Sequence, residues 1–132
     1  MKKKLMVVSG IVLGIFLILD ASIYIRINKI ADHILSQEIE TISFNDYEDG
    51  VYQGDYYHND IGITVHFQIE SGEIKDISYE NHQHGQGEPA EAISRSIIEE
   101  QSLVIDDVTG ATISSRCIKL AIIEGIEGGE NE

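Results

Sequence analysis

Asp106, Asp107, Val108, Thr109, Gly110, Ala111 and Thr112, followed by Ile113, Ser114 and Ser115, crowd carboxylates, hydroxyls and one glycine together just ahead of an apolar, helix-like run. A helix N-terminus carries unpaired backbone N–H groups and a partial positive charge, which suits it to a phosphate. Hydroxyls at that place can hydrogen-bond a phosphate or be esterified to one. By itself Thr-Gly-Ala-Thr also describes an ordinary capped helix start with no ligand.

A second polar stretch, His82-Gln83-His84-Gly85-Gln86-Gly87-Glu88, is rich in possible ligands. His82 and His84, with Glu80, Glu88 and His58 nearby in the sequence, are metal-capable residues, but an i, i+2 pair in a loop is a weak ligand pattern. We expect no metal there. A loop that lines a bound group, touching it through His82, Gly85 and Gly87, is the preferred reading, beside a solvated loop with no ligand. No Ser-His-Asp arrangement, paired carboxylates, P-loop or dinucleotide fingerprint is evident. The lone Cys117 falls on an apolar helical stripe and is expected in the core.

These residues must be held by a small scaffold. Ile61, Ile63, Val65, Phe67 and Ile69 alternate with Gly62, Thr64, His66, Gln68 and Glu70, which predicts a half-buried strand. Asp49 to Gly54 reads as a turn entering a short strand. Ser71-Gly72 is a hairpin signal, and Glu73 to Glu80 is the returning strand with Ile77 and Tyr79 on one face. Pro89 suits the first turn of a helix that runs to about Glu100 with Ala90, Ile93 and Ile97 on one face. A last helix is expected from Ile113 to Ile126, with Ile113, Cys117, Leu120 and Ala121 as its stripe, widened by Ile118 and Ile122. The fold class is α+β: a small antiparallel sheet with helices packed on one side. Tyr52, Tyr56, Tyr57 and Tyr79 are candidates to stack on a planar ligand, or simply core and edge residues.

The N-terminal part is a separate object. Residues 1–4 are a charged start, and Leu5 to Ile25 is an apolar run whose only charge is Asp20. As a helix this run is about 31 Å long, close to the hydrocarbon thickness of a bilayer. A cleaved signal peptide competes, but no small-x-small cleavage site follows, and an uncleaved anchor is preferred. Three Lys before the run against Arg26 and Lys29 after it mildly favour a cytoplasmic N-terminus and an extracytoplasmic domain. Residues 26–43 read as a linker helix, 44–127 as the domain and 128–132 as an acidic tail. Residues 31–132 hold four Lys+Arg against 22 Asp+Glu, a net charge of −18, which argues against nucleic acid as a partner.

Asp106-x-x-Thr109-Gly110-Ala111-Thr112 matches the flavinylation motif of the FMN-binding domain family, and the chain resembles that family over about residues 47–126. Asp49-Gly50-x-Tyr52-x-Gly54, the Ser71-Gly72 hairpin, the His82 to Gly87 loop, Gln101-Ser102 and Ser114-Ser115 extend the resemblance. It is similar to the flavin-carrying peripheral subunits of sodium-pumping NADH:quinone reductase and of the Rnf complex, and to small membrane-anchored relatives. The resemblance implies FMN bound by a phosphoester to Thr112, placed there by a flavin transferase with FAD as donor. It also implies Asp106, Thr109, Gly110, Ala111, Ser114 and Ser115 around the phosphate, with Thr109 and Ser115 donating hydroxyl hydrogen bonds. Asp106 is the hardest to place, because a carboxylate repels phosphate; holding the loop or serving the transferase are its expected roles.

The implied function is a membrane-anchored, extracytoplasmic electron carrier with an unidentified donor and acceptor, membrane reductase subunits being candidates, rather than a stand-alone enzyme. A noncovalent FMN binder, or a non-redox anchored module that binds cations or a protein, is the alternative.

Overall fold

The computed structural model describes residues 1–59, 61–80 and 87–128, with the side chains of 87–90 left aside. The chain forms two compact units, Met1–His33 and Ile34–Glu132. The first lies within helix α1 (Lys2–Ser36), continuous through the apolar run. Its Leu5, Val8, Ile11, Phe16 and Ile23 side chains are exposed. At ~1.5 Å per residue the helix is about 52 Å long. It is long and apolar enough to cross a membrane. The helix stops at Ser36, short of the Ser43 expected, and a single 3-10 turn follows at Phe44–Asp46. Ile34 is fully buried and begins the second unit.

In that unit β1 (Gly50–His58), β2 (Ile61–Glu70) and β3 (Glu73–Glu80) form an antiparallel sheet in the order β1-β2-β3. The two-residue turn between β2 and β3 has φ of 55° at Ser71 and 75° at Gly72, the pair of positive values that a type I′ hairpin needs. Asp49 pins it through an Oδ1 that accepts the Ser71 N–H at 2.7 Å.

Alternation puts Val65, Phe67 and Ile69 on the core face, as expected. On β3 the alternation is interrupted: Ile69 faces Ile74, but Gln68 faces Asp76, so Lys75 is an extra residue. This β-bulge lets Ile74 share the core face with Ile77 and Tyr79, which plain alternation forbids.

Helices α2 (Gly87–Glu100) and α3 (Thr112–Glu127) cover that face, α3 over β1 and β2 and α2 over β3. Ile93 and Ile97 are the buried anchors of α2. α3 is the central helix. It is buried almost all round from Cys117 to Ile123, so its one-sided stripe was too narrow an expectation. It sits very close to β1. A Cβ on Gly54 would lie 1.7 Å from the Ala121 carbonyl oxygen, and one on Gly125 would lie 2.9 Å from Gly54 Cα.

Candidate functional site

Between α2 and α3 the chain runs from Gln101 to Ala111 without regular structure, and α3 itself holds this segment in place. Gln101 opens it in the left-handed region, φ 50°. Its side-chain amide accepts from the Ile74 N–H and donates to the Ile74 carbonyl, both at 2.9 Å, and donates to the Ile98 carbonyl at 2.7 Å. It thereby occupies part of the open edge of β3 in the way a neighbouring strand does. Leu103 is the buried plug of the segment, while Val104 is exposed.

Further along, Lys119 reaches back from the second turn of α3. Its Nζ, with the residue only 2% exposed, donates to the Ile105 carbonyl at 2.6 Å and to Asp107 Oδ1 at 2.8 Å. Arg116 Nε donates to the other Asp107 oxygen at 2.9 Å, and its Nη1 donates to the Gln37 carbonyl at 3.2 Å. Burial alone raises the Asp107 pKa, but the hydrogen bonds and charges of Lys119 and Arg116 more than offset it and hold the carboxyl below its ordinary value. Ser115 Oγ accepts the Val108 N–H at 3.1 Å.

The last four residues of the loop form a turn closed by the Ala111 N–H on the Val108 carbonyl at 2.9 Å. Gly110, with φ 80°, sits where a type II turn requires a positive value. Space is not the reason for glycine here, since a Cβ would meet nothing within 4 Å.

Thr112 is the first residue of α3 and is exposed. The N-cap is Ala111, and no side chain caps the helix. The Ser115 N–H bonds the Ala111 carbonyl at 2.9 Å, which leaves the N–H groups of Thr112, Ile113 and Ser114 as the first-turn donors. An exposed hydroxyl, uncapped amides and open space over Gly110 are what a phosphate on this turn needs.

The FMN-binding domain model matches residues 57–127, more than half of the chain. The chain belongs to the FMN-binding domain family. No curated protein and no solved structure matches it.

In this FMN-binding domain the expected site residues differ in exposure. Thr109, Gly110 and Thr112 are exposed together at the start of α3, with Ala111 and Ser114 half-buried beside them. Ser115 is buried, and its hydroxyl oxygen accepts the Val108 N–H of the loop. Asp106 is exposed, and the loop-holding carboxylate is its neighbour Asp107.

Gly87 begins α2 rather than lying in a loop, while His82, His84 and Gly85 lie outside the described residues. His66 Nε2 lies 3.6 Å from Glu80 Oε2, and no three His, Cys, Asp or Glu among the described residues gather to hold a metal.

Of the tyrosines, Tyr52 is core, stacked on Phe67 with centroids 5.4 Å apart and its hydroxyl donating to the Glu48 carbonyl. Tyr57 covers Gly62 and shares a hydrogen bond with Thr64 Oγ1 at 3.1 Å. Tyr79 lines a groove between β3 and α2 with Ile77, Glu91, Ser94, Arg95 and Ile98.

Lys119 and Arg116 were not singled out from the sequence, and Asp107 was named only as part of its stretch. The available signal was charge scarcity: two of the four Lys+Arg in residues 31–132 lie in the first two turns of α3.

Proposed function

We propose that this chain is a membrane-anchored flavoprotein that carries FMN covalently on Thr112 and passes electrons outside the cytoplasm. The observation that supports the covalent reading is Thr112 itself, exposed on the uncapped first turn of α3 directly after a Gly110 turn. In the attachment step a flavin transferase joins the Thr112 hydroxyl oxygen to the phosphorus of the FMN half of FAD. The phosphoanhydride breaks, AMP leaves and the hydroxyl proton passes to a base.

The amides of Thr112 to Ser114 then hydrogen-bond the phosphodiester, and Gly110 keeps its approach clear. Asp106, exposed and free of the loop-holding role, serves recognition by the transferase. Bound FMN supplies one- or two-electron chemistry, and the chain tethers and shields it. The donor and acceptor are other redox proteins, membrane reductase subunits being the nearest in kind. α1 supplies the anchor, uncleaved, with three Lys on the cytoplasmic side. A covalent link has a clear use outside the cytoplasm, where a dissociated cofactor is lost.

The test is co-expression with a flavin transferase, denaturing electrophoresis and in-gel flavin fluorescence. The wild type is expected to fluoresce, Thr112→Ala to be dark and Thr109→Ala to stay largely bright. A dark wild type that still binds FMN in its native state assigns the noncovalent mode instead. A wild type that takes no flavin either way leaves the non-redox binding module.

A further inference from the structure

We propose that Lys119 and Asp107 are positioning residues that preset the acceptor loop before any flavin arrives; this rests on the flavinylation reading above. Three loop residues are tied to three residues of α3. The Ile105 carbonyl and Asp107 Oδ1 both take hydrogen bonds from Lys119, Asp107 Oδ2 takes one from Arg116, and the Val108 N–H gives one to Ser115. These ties end at Val108, four residues before Thr112, so they fix the frame from which the Gly110 turn delivers the acceptor hydroxyl.

Lys119 is not where stability alone places a lysine. It is buried among Ile118, Leu120, Ile122 and Ile123 on the central helix of the core. Replacing a buried ion pair with apolar side chains is often neutral or stabilising, so such a pair points to a role in specifying a conformation. Here the specified object is the loop, because both Lys119 contacts are loop atoms.

Charge supports the same assignment. In residues 31–132, with four Lys+Arg against 22 Asp+Glu, two of the cations meet one carboxylate of the acceptor loop. One positive charge remains after the pairing. Asp106 is adjacent but exposed, where water and salt screen it.

A preset loop makes a kinetic statement. If the loop is competent only a fraction of the time, the apparent affinity for the acceptor falls by that fraction, while the chemical step is unchanged. Full-length protein in nanodiscs is assayed in two ways. Hydrogen exchange by mass spectrometry follows residues 105–112 in the flavin-free protein. The initial rate of flavinylation by a transferase and FAD is measured against acceptor concentration.

Lys119→Met is expected to keep the β2 core protected, to exchange its loop about tenfold faster and to raise KM in proportion to the competent fraction lost, with kcat little changed. Lys119→Arg is expected to recover part of both. Should Lys119→Met fail to fold, Asp107→Glu replaces it and shifts both readouts the same way by less.

Folded Lys119→Met with wild-type loop protection and wild-type KM overturns the proposal alone. A wild type that takes no flavin overturns the flavinylation reading and the positioning role with it, whatever its loop protection.

Discussion

Lys119 Nζ stands 2.8 Å from Asp107 Oδ1, a lysine 2% exposed bonded to a carboxylate that also takes Arg116. The two sides of this pair are not equivalent. Asp107→Asn strands a buried ammonium and is expected to cost about 3 kcal/mol or more. Lys119→Met leaves Asp107 with Arg116 and is expected to cost much less, and the two denaturant midpoints compare them.

The same carboxylate predicts a pH dependence. Its folded pKa is depressed from 3.8, so its contribution to stability is complete above that value and is lost as pH falls through the lower, folded one. Melting curves from pH 6 down to about 2 are expected to show this loss in the wild type. Asp107→Asn, less stable throughout, lacks that part of the slope.

Adjacent aspartates separate by readout. Asp106→Asn is expected to lower flavin loading in the gel assay while the melting temperature stays within about 2 °C. Asp107→Asn lowers both. Full loading of Asp106→Asn removes its role in recognition by the transferase.

Contact between α3 and β1 depends on two glycines. Gly54→Ala sets a methyl 1.7 Å from the Ala121 carbonyl oxygen, and both are backbone positions that side-chain rotation cannot relieve. A loss of about 3 kcal/mol is expected, with Gly125→Ala milder because its nearest contacts are at 2.9 Å. Chemical denaturation orders the three proteins.

Gln101 combines a left-handed backbone with a side-chain clamp on Ile74. Gln101→Ala is expected to cost about 2 kcal/mol. Gln101→Gly relieves the backbone strain and recovers roughly half of that. Equal melting temperatures for these two variants would contradict a contribution from backbone strain.

Burial pushes the Cys117 thiol up to about 11. At pH 8 the native protein is therefore expected to resist a thiol reagent for hours and to react within minutes once denatured. Fast native labelling would show that the α3 core opens readily.

The elements were legible because their signals are local. Strict alternation from Ile61 to Ile69 has one burial solution, Ser71-Gly72 has one turn that suits its backbone, and the Thr109-Gly110-Ala111-Thr112 run announces the start of α3.

Tertiary structure decided what depends on partners far apart in sequence. Lysine is polar by default, so nothing local marks Lys119 as buried; only Asp107 and the Ile105 carbonyl, brought back over α3, make that burial tolerable. Of two adjacent aspartates the motif pattern marked Asp106, and chain direction in the folded loop gave the ion pair to Asp107.

Ser115 followed the same logic: it shares a helix face with Thr112 but lies one turn further in, where the loop at Val108 covers it, while Thr112 stays exposed. The Lys75 bulge likewise exists because Ile74 has a core to enter and Gln101 to hold its backbone. Periodicity names the face a residue prefers; packing decides whether a charge can share it.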